Sequence, residues 1–451
     1  MTKYIMGLDL GTSSIKGVLL RADGTGEAEY GRSPFRYTTT EDGRVEISAE
    51  DYLESCFKLM RELSAKLPDD AELCAVGNAS ASGNVLLIGK DGKPTTPIFN
   101  WQDHRVTDEA EKVLGKDFDT EAYFRSTGWG FTGNSFPLAQ LSWLKIHESE
   151  KLADASAVCM STEYLLKTLT GKWGISTSAG TPFYLIDQKS GTYNKPILDK
   201  LGIPEEKLPP VVKVGTVIGK VTEEGSKLSG LPVGTPMIAG TFDHPSAARG
   251  TGITKPGQVL LSCGTSWVGF FPVDDRELLC ENHMLIDPFL SGSDGAWAGM
   301  VSLASVASKI DEYVTHFFGE GDGRYKRFEG ESKKGESGAG GLVITMSDAD
   351  DLDEIAKHPK PMIARAIMEC VIRMLKKDFD RLAEAGISAK SGVMVGGPSE
   401  CPFWTTVIEE MTGIHVEIKH GAFAGARGAA LVAGIGAGLW SSEEKGLEII
   451  G

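Results

Sequence analysis

The first twenty residues of the chain predict two strands joined by a turn. The stretch "IMGLDLGTSSIKGVLL" begins as an apolar strand, breaks at Asp9, turns through Gly11 and resumes as "IKGVLL". Apolar runs on either side of a glycine and hydroxyl cluster are typical of strands that flank a turn. A carboxylate inside such a buried strand needs a compensating partner, so Asp9 calls for a chemical explanation.

Apolar residues at helical spacing predict several helices, of which residues 48–67 form the clearest. Ser48 stands at the expected N-cap, with Asp51 three residues later. Further helices are predicted within 136–150, 161–171, 361–386 and 425–438. The polar and glycine-rich residues 319–341 are typical of an exposed loop.

A second strand, turn and strand follows in the other half of the chain. The stretch "PGQVLLSCGTSWVGFF" repeats the pattern of the N-terminus, including its "GTS" turn. We interpret this as a weak internal repeat, with a domain boundary between about residues 235 and 255. The predicted domains are therefore an N-terminal one, 1–245, and a C-terminal one, 246–451.

Composition narrows the class of protein. The 451 residues are 41% apolar and 24% charged, as in a globular protein. The formal net charge of -16 is a poor match for nucleic acid or an anionic membrane surface, so we expect neither as a partner. Single cysteines without a CxxC pair, and the lack of a recognisable secretory leader, predict a cytoplasmic protein.

Three glycine turns, each after an apolar strand, have the residue types that hold phosphate groups. They are Gly11-Thr12-Ser13, Gly264-Thr265-Ser266 and Gly396-Gly397. Glycine lets a ligand approach main-chain N–H groups, which bind phosphate together with hydroxyl side chains. One such turn alone is more often an ordinary hairpin, but three of them favour a nucleotide site. The absence of GxxxxGK[ST], and of GxGxxG opening a helix, argues against P-loop and dinucleotide-binding folds.

Two aspartates beside these turns each allow two interpretations. Asp9 is either a strand-end residue that caps its own turn or a ligand that holds Mg2+ beside a phosphate. Asp243 follows the strand-like "PMIAG" and precedes a helix of small residues, where Asp is most often an N-cap. Its alternative role is a general base that takes a proton from a substrate hydroxyl. The pattern around Asp243 alone favours the cap.

The stretch "FNWQDHR" contains Trp101, Asp103 and Arg105 after a predicted strand. It is either a loop with a surface ion pair and a core tryptophan, or a polyol site in which Trp101 covers C–H groups and the charged pair bonds to hydroxyls. The eight histidines show no HExxH or other ligand spacing, so no zinc site is expected. His244, directly after Asp243, is the histidine that stands out.

Together, five stretches resemble those of the FGGY carbohydrate kinases, a family that includes xylulokinases and glycerol kinases. "GLDLGTSSIKGVLL" resembles its first phosphate loop, "WQDHR" its sugar motif and "GTFDHPSAARG" the segment with its catalytic aspartate. "GQVLLSCGTSWVGF" is similar to the second phosphate loop, and "VMVGGPSECPFWTTVIEEMTGIHVE" with "GARGAALVAG" to the adenosine-binding region. The stretches stand in the family's order and span essentially the whole chain.

The resemblance implies an α/β fold of two actin-like ATPase (ribonuclease H-like) domains, each a mixed sheet flanked by helices, with a central cleft. It also implies ATP-dependent phosphorylation of a hydroxyl on a sugar, sugar alcohol or sugar acid, a ketopentose such as xylulose first among them. ATP and Mg2+ are the implied cofactors, and a small carbohydrate is the implied partner. The sequence leaves open whether the protein forms a homodimer.

The resemblance assigns a role to each matching residue. Asp243 would be the catalytic base, Asp9 would help hold Mg2+, and Trp101 and Asp103 would face the sugar. The residues that would bind the nucleotide are Gly11, Thr12, Ser13, Ser14, Gly264, Thr265, Gly396, Gly397, Ser399, Glu400 and Phe403.

Three departures from the family's pattern bear on the substrate. Where xylulokinases carry a Gly-Gln-Met-His-Gly-like segment and glycerol kinases carry Arg-Glu, this chain has "NASASGNV", so Ser80, Ser82 and Asn84 would line the sugar pocket. His244 replaces the Asn or Gln that commonly follows the base. Around residues 338–360, "GAGGLVITMSDADDLDEIAKHP" replaces the family's Pro-Tyr-Leu and Gly-Glu-Arg segment.

These departures keep a second hypothesis open: an ATP-binding sugar sensor or regulator on the same fold that lacks kinase activity. The joint presence of Asp9, both "GTS" turns and Asp243 argues against it. A third hypothesis, an actin-like ATPase chaperone, gives no account of Trp101 and Asp103.

Overall fold

The computed structural model describes residues 1–130 and 135–451, in which two compact units can be distinguished. The first unit comprises Met1–Gly252, Ile286–Gly295 and Gly425–Gly451, and the second comprises Ile253–Leu285 and Ala296–Ala424. The chain thus leaves the first unit, builds the second and returns.

These extents differ from the domains 1–245 and 246–451 expected from the sequence. The helix Asp243–Thr251 is continuous, so the first unit runs on to Gly252. Residues 425–451, expected in the C-terminal domain, belong to the first unit because their apolar side chains pack on its sheet.

The first unit is built on a mixed six-stranded sheet. Its strands, in spatial order, are Val217–Lys220, Pro236–Phe242, Ala71–Ser80, Thr2–Leu10, Ser14–Arg21 and Glu29–Pro34. The strand Ala71–Ser80 pairs in parallel with both Thr2–Leu10 and Pro236–Phe242, and the outer neighbours are antiparallel. The expected pair of strands around the N-terminal glycine turn is confirmed. The carboxyl ends of the three parallel strands therefore meet at one edge of the sheet.

Shorter strands and helices complete the first unit. The short strands are Thr38–Thr39, Val45–Ile47, Leu86–Ile88, Ile98–Phe99, Ala157–Cys159, Ile175–Ser176, Ile186–Asp187, Thr192–Tyr193 and Val211–Val212. The helices are Ala49–Ser64, Glu109–Leu114, Thr120–Thr127, Pro137–His147, Ser149–Asp154, Ser161–Thr170, Lys195–Leu201, Glu223–Ser229, Asp243–Thr251, Ala424–Gly436 and Glu443–Ile450. Ser48 caps the first of them by accepting a hydrogen bond from Asp51 N, as its sequence predicted.

The strand Thr2–Leu10 directs alternate side chains into two separate cores. Met6 and Leu8 belong to the apolar cluster that includes the buried face of helix Ala49–Ser64. Ile5 belongs to the cluster formed with helix Ala424–Gly436. Because side chains alternate along a strand, Asp9 shares the face of Ile5.

Two glycines let the helix Ala424–Gly436 lie close to the sheet. A Cβ atom on Gly7 would lie 2.0 Å from Ala426 O, and one on Gly77 would lie 2.2 Å from Ala429 O. Backbone atoms occupy the space of both missing side chains, so these positions accept only glycine without movement of the helix.

A second mixed six-stranded sheet belongs to the second unit, except for the end of its edge strand Leu285–Asp287, of which only Leu285 is in that unit. The strands, in spatial order, are Leu285–Asp287, Trp297–Leu303, Trp267–Val273, Gln258–Cys263, Ser391–Gly396 and His415–Ile418. Its helices are Arg276–Glu281, Val306–Phe318, Arg324–Ser332, Leu352–Ile355, Lys360–Glu384 and Phe403–Thr412. The strand pair around the second "GTS" turn is antiparallel, as in the first unit. The repeat seen in the sequence is thus a structural one.

The expectation of a loop over residues 319–341 is wrong for its middle part. The helix Arg324–Ser332 lies there, and its Phe328 is buried against Phe318 and Trp404. Two aromatic residues, Tyr325 and Phe328, in an otherwise polar stretch give too little periodicity for a helix to be predicted. Among the described residues, no helix is long and apolar enough to cross a membrane.

We predict that Gly77→Ala destabilises the first unit by about 1–3 kcal/mol or more, because the new methyl group overlaps Ala429 O. Urea unfolding followed by circular dichroism measures this loss. Gly292→Ala in the same unit is the control, since a Cβ there meets nothing within 4 Å. Equal stability of the two variants would contradict the close packing.

Candidate active site

The strand register brings several predicted site residues to one edge of the first sheet. Leu10 is opposite Ser80, and Phe242 is opposite Ser80 from the other side. Asp9, which precedes Leu10, and Asp243, which follows Phe242, therefore belong to the same edge. Residues that are more than 230 positions apart in the sequence are gathered there by parallel pairing.

The turn after Asp9 exposes only part of the hydroxyl cluster. Ser13 is exposed and Thr12 is half-buried, and Thr12 Oγ1 accepts a hydrogen bond of 3.4 Å from Trp101 Nε1. Ser14 is the first residue of the following strand and is buried, and its Oγ accepts from Arg32 Nε at 3.1 Å. The predicted phosphate contact of Ser14 would therefore compete with an internal hydrogen bond.

Asp9 is compensated in part by the strand next to it. Asp9 and Lys16 are direct neighbours in the antiparallel pair, and Lys16 Nζ lies 3.5 Å from Asp9 Oδ2. Burial raises the pKa of Asp9, the charge of Lys16 lowers it, and the negative charge of Asp243 raises it again. Gly425 packs directly against the Asp9 side chain, because a Cβ atom on Gly425 would lie 2.9 Å from the carboxylate.

A divalent cation fits this environment. Asp9 is a buried carboxylate, and the negative charge of a second carboxylate, Asp243, repels it. In proteins, Mg2+ is held by one or two carboxylates together with water and phosphate oxygens. Within residues 1–130 and 135–451, no group of three or more His, Cys, Asp or Glu side chains forms a metal site of protein ligands alone. Such a cation would need oxygens from a ligand.

Asp243 begins a helix but does not cap it through its side chain. The helix Asp243–Thr251 has Phe242 at the N-cap position and no side-chain capping bond. Asp243 Oδ1 accepts from the adjacent His244 N at 2.7 Å and lies 3.8 Å from His244 Nε2. The side chain keeps 31% of its surface exposed, so the capping role that the pattern favoured is not the one observed.

A continuous group of aromatic rings connects Trp101 with His244. Trp101 stacks on Phe136 at 6.1 Å, and Phe136 meets Trp129 edge to face at 5.5 Å. Trp129 contacts Phe242 at 5.6 Å, and Phe242 contacts His244 at 5.2 Å, both edge to face. Trp129 and Phe242 are buried, whereas the two ends, Trp101 and His244, are partly exposed. The rings thus form a rigid wall next to Asp243.

Asp103 has a structural role within its own loop. Its carboxylate is fully buried, accepts from Val45 N at 3.1 Å and Arg105 N at 3.2 Å, and pairs with Arg105 Nη2 at 2.9 Å. Arg105 also pairs with Glu46 and lies over the Phe99 ring. The ion pair is therefore buried rather than on the surface. The contact between Asp103 and a sugar stays a prediction, and it would require movement of this loop.

Ser80, Ser82 and Asn84 are also buried and bonded to the protein. Ser80 Oγ is 2.7 Å from Thr162 Oγ1, and Asn84 Oδ1 accepts from Ser161 N at 2.8 Å. Both contacts hold the first turn of the helix Ser161–Thr170. Ser82 has a left-handed φ of 43°, and its Oγ lies 3.3 Å from Ala179 O. The predicted sugar contacts of these three residues remain predictions.

The second unit presents two glycine turns at one edge of its own sheet. Cys263 and Gly396 are opposite each other at the ends of parallel strands, so Gly264 and Gly397 follow at the same edge. Gly396 has a φ of 96°, and a Cβ atom there would lie 2.1 Å from Cys263 O. This position therefore requires glycine.

The residues around Gly396 form a tight turn before the next helix. Ser399 Oγ donates to Gly396 O at 2.6 Å, and Glu400 ends the short 3-10 turn that follows. Phe403 begins the helix Phe403–Thr412. The Arg365 guanidinium lies over the Phe403 ring, 5.8 Å from the ring centre. Thr265 O accepts from Ala307 N, which fixes the other turn.

Sequence reasoning missed two buried acids of the first unit, Asp287 and Glu163. Ser178 Oγ donates to Asp287 at 2.9 Å, and burial raises the pKa of Asp287 to about 6. Glu163 accepts from Met160 N at 3.2 Å, and burial raises its pKa to about 8. The signal for Asp287 was available, since an acid within the apolar run "MLIDPFL" poses the same question as Asp9.

The comparisons with known proteins agree with the geometry. The sequence pattern of the FGGY family of carbohydrate kinases, N-terminal domain, matches residues 4–250. The autoinducer-2 kinase of Escherichia coli (strain K12) is 25% identical over 475 residues, which cover 97% of this chain and 87% of that protein. The L-xylulose/3-keto-L-gulonate kinase of the same strain is 27% identical over 466 residues, covering 98% and 89%.

A solved structure extends the likeness to the fold. The gluconate kinase from Lactobacillus acidophilus superimposes with a TM-score of 0.86 at 20% identity, covering 100% of this chain and 92% of that one. The two mixed sheets with their helices are those of the two-domain actin-like, ribonuclease H-like ATPase fold, which confirms the expected fold class.

This chain belongs to the FGGY family of carbohydrate kinases. It is a carbohydrate kinase, an enzyme that takes ATP and a small carbohydrate as its substrates.

Glu163 predicts a pH dependence of stability. Its pKa is about 8 in the fold, against 4.5 for an ordinary glutamate. Between these values the folded state keeps a proton that the unfolded state has lost, so stability falls as pH rises, by up to about 1.4 kcal/mol per pH unit. Below this window, and above it, Glu163 contributes no slope.

Glu163→Gln should remove this slope, because the amide imitates the protonated acid. We expect thermal unfolding at pH 8 to occur at a higher temperature than in the wild type, and the difference to shrink at pH 5. The variant Glu150→Gln, which changes an exposed acid of the same unit, should leave the profile unchanged. Parallel wild-type and Glu163→Gln profiles would contradict the raised pKa.

Proposed function

We propose that this carbohydrate kinase transfers the γ-phosphoryl group of ATP to a sugar hydroxyl, with Asp243 as the general base. The observation that supports the proposal most is the edge of the first sheet. There, the glycine turn after Asp9 and the part-exposed Asp243 lie at the ends of strands that pair through Ala71–Ser80. A phosphate loop and a base are the two elements that phosphoryl transfer to an alcohol needs.

Asp243 is suited to accept the hydroxyl proton. Its carboxylate is part-exposed and, among the described residues, is bonded only to the N–H of His244. A sugar hydroxyl could therefore donate to the remaining oxygen. The hydrogen bond from His244 N holds Asp243 Oδ1, so the other carboxylate oxygen, Oδ2, points in a limited range of directions.

We propose nucleotide-binding residues in the glycine turns of each unit, taken separately. In the first unit the residues are Gly11, Thr12, Ser13 and Ser14, and in the second they are Gly264, Thr265, Gly396, Gly397, Ser399, Glu400 and Phe403. Backbone N–H groups and hydroxyls would take up the phosphate charge. Asp9 would hold Mg2+, which when bound supplies charge neutralisation at the phosphates.

The acceptor is best sought among ketopentoses such as xylulose, and then among polyols and sugar acids. The named relatives act on different compounds, autoinducer-2 and L-xylulose or 3-keto-L-gulonate, so they support the class rather than one sugar. Trp101 and His244 would face the acceptor, because they are the part-exposed ends of the aromatic wall. Ser80, Ser82, Asn84 and Asp103 would contribute only if their internal hydrogen bonds rearrange.

The alternative of a sugar sensor without kinase activity gains no support from the relatives reported above, which are named as kinases.

A homodimer stays a prediction to be tested by light scattering.

We predict that Asp243→Asn folds normally, binds ATP and loses at least about 100-fold in turnover, because the amide cannot accept a proton at neutral pH. ADP release is measured across a panel of sugars, polyols and sugar acids, starting with ketopentoses. The matched control is Asp119→Asn. Asp119 is a true N-cap in the same unit, accepting from Ala122 N.

If Asp243 were only a helix-terminal residue, the two variants would behave alike and both would keep near-normal turnover. That result would refute the assignment of the base. No ADP release by the wild type on any compound, with ATP still bound, would favour the sensor.

Asp9→Ala should reduce turnover far more than it reduces stability, and should raise the Mg2+ concentration needed for half-maximal rate. The substitution removes the buried carboxylate that would hold Mg2+, whereas the backbone pairing of its strand stays intact. Asp23→Ala is the control, because Asp23 is an exposed acid in the connection that follows the strand Ser14–Arg21 of the same sheet. An unchanged Mg2+ requirement in Asp9→Ala would contradict the assignment.

A further inference from the structure

A short segment of the chain, Ile286–Phe289, is anchored in the first unit close to Asp243. Ile286 N donates to Gly128 O at 3.0 Å. In return, Ile286 O accepts from Trp129 Nε1 at 3.1 Å and from Gln188 Nε2 at 2.7 Å. Three hydrogen bonds around one residue hold this segment against the aromatic wall.

Asp287 is connected to the residue before Asp243 through one hydroxyl. The Asp287 carboxylate is fully buried and accepts from Ser178 Oγ at 2.9 Å and from Phe289 N at 2.7 Å. Ser178 Oγ in turn accepts from Phe242 N at 3.3 Å. A serine hydroxyl has one proton to give, and here it gives it to the carboxylate and receives the peptide N–H. The direction of each bond in this chain is therefore determined.

The same segment also holds the other end of the helix that starts at Asp243. Arg249 Nη2 donates to Phe289 O at 2.8 Å, and its guanidinium lies 4.8 Å from the Phe289 ring. Arg249 Nε also pairs with Glu443 at 2.8 Å. Both the first and the last turn of the helix Asp243–Thr251 are thus fixed to Asp287–Phe289.

The Asp243 side chain depends on this support for its position. Among the described residues, its carboxylate has one hydrogen bond, from the adjacent His244 N, and no cap. A side chain that is bonded only to its own backbone follows any movement of that backbone. The peptide N–H of Phe242, one residue earlier, is one point at which another element holds the backbone that carries Asp243.

We propose that Ser178 and Asp287 are positioning residues for the base: they fix the peptide that precedes Asp243 and so aim its carboxylate at the acceptor hydroxyl. This inference rests on the proposed function of Asp243. Neither residue touches substrate; both act through the strand end at Phe242. Burial of the pair excludes water, which would otherwise compete for the Phe242 N–H.

The first experiment is Ser178→Ala, assayed with the sugar that supports the highest wild-type rate. We expect kcat to fall about 10- to 100-fold, since small displacements of a catalytic group have effects of this size. The KM values for sugar and ATP should stay within about twofold, because no binding contact is removed. A merely structural role would lower the amount of folded enzyme without this division between kcat and KM.

The chain offers a matched control pair in the same unit. Ser126 Oγ donates to Asp187 at 2.6 Å, and Asp187 also accepts from backbone N–H groups, as Asp287 does. Ser126→Ala therefore removes a serine–aspartate bond that is part-buried and is not connected to Phe242. We expect its kcat to stay within about twofold of the wild type. A loss equal to that of Ser178→Ala would overturn the proposal.

Asp287→Asn keeps the inference testable if Ser178→Ala does not fold. Its amide oxygen can still accept from Ser178, so its loss in kcat should be smaller than that of Asp287→Ala. The double variant of Ser178→Ala with Asp287→Asn should lose no more than the larger single loss, because both residues act in one chain of bonds. Wild-type kcat in Ser178→Ala, or additive losses in the double variant, would refute the positioning role.

Failure of the proposed function gives a different result. In that case Asp243→Asn itself retains turnover, whatever the state of Ser178. A loss in Asp243→Asn together with full activity in Ser178→Ala refutes only the positioning role.

Discussion

Parallel pairing of three strands is the constraint on which the first unit depends. Thr2–Leu10 and Pro236–Phe242 both pair with Ala71–Ser80, so three chain segments end at the same edge. A parallel pair requires a long crossover between its strands, and here each crossover carries helices and loops that cover the sheet. The edge is consequently the place where a turn, a carboxylate and a helix start come together. The candidate site is a result of the topology as much as of its residues.

The first unit also buries several acids, and each of them has different partners. Asp9 has Lys16 beside it in the neighbouring strand. Asp287 has a hydroxyl and a peptide N–H, and Arg249 lowers its pKa from nearby. Among the described residues, Glu163 accepts from backbone N–H groups, and burial raises its pKa to about 8, compared with about 6 for Asp287. Each acid therefore responds differently to a cation or to pH.

Much of the fold could be predicted from the sequence because its local signals agree with one another. Apolar runs around the glycine turn predicted both hairpins, and Ser48 predicted the start of its helix. What failed had a tertiary cause. Residues 425–451 read as part of the second domain, since nothing local shows that their small side chains fit against Gly7 and Gly77 of the first sheet.

The site was predictable in its residue types and less so in its contacts. Asp243 and Asp9 were identified from strands that end in an acid, and the strand register places both at one edge of the sheet. The predicted pocket residues Ser80, Asn84 and Asp103 were chosen from stretches that resemble or replace the family's sugar-site segments, yet all three are bonded internally. A sequence shows which polar groups exist but does not show which of them the protein uses itself. The apolar run around Asp287 marked it as a buried acid, but its partner Ser178 is more than 100 residues away in the chain, so its connection to Phe242 could not be predicted.

The return of residues 425–451 to the first unit has a consequence for how the protein is made. The second unit, Ile253–Leu285 with Ala296–Ala424, is synthesised before the helices that complete the first unit's apolar cluster. During synthesis, one face of the first unit's sheet therefore stays uncovered until some 170 residues after Gly252 have been made. Chaperones bind apolar surface that is exposed in this way during folding. The order of synthesis thus opposes the usual rule that the N-terminal domain folds first.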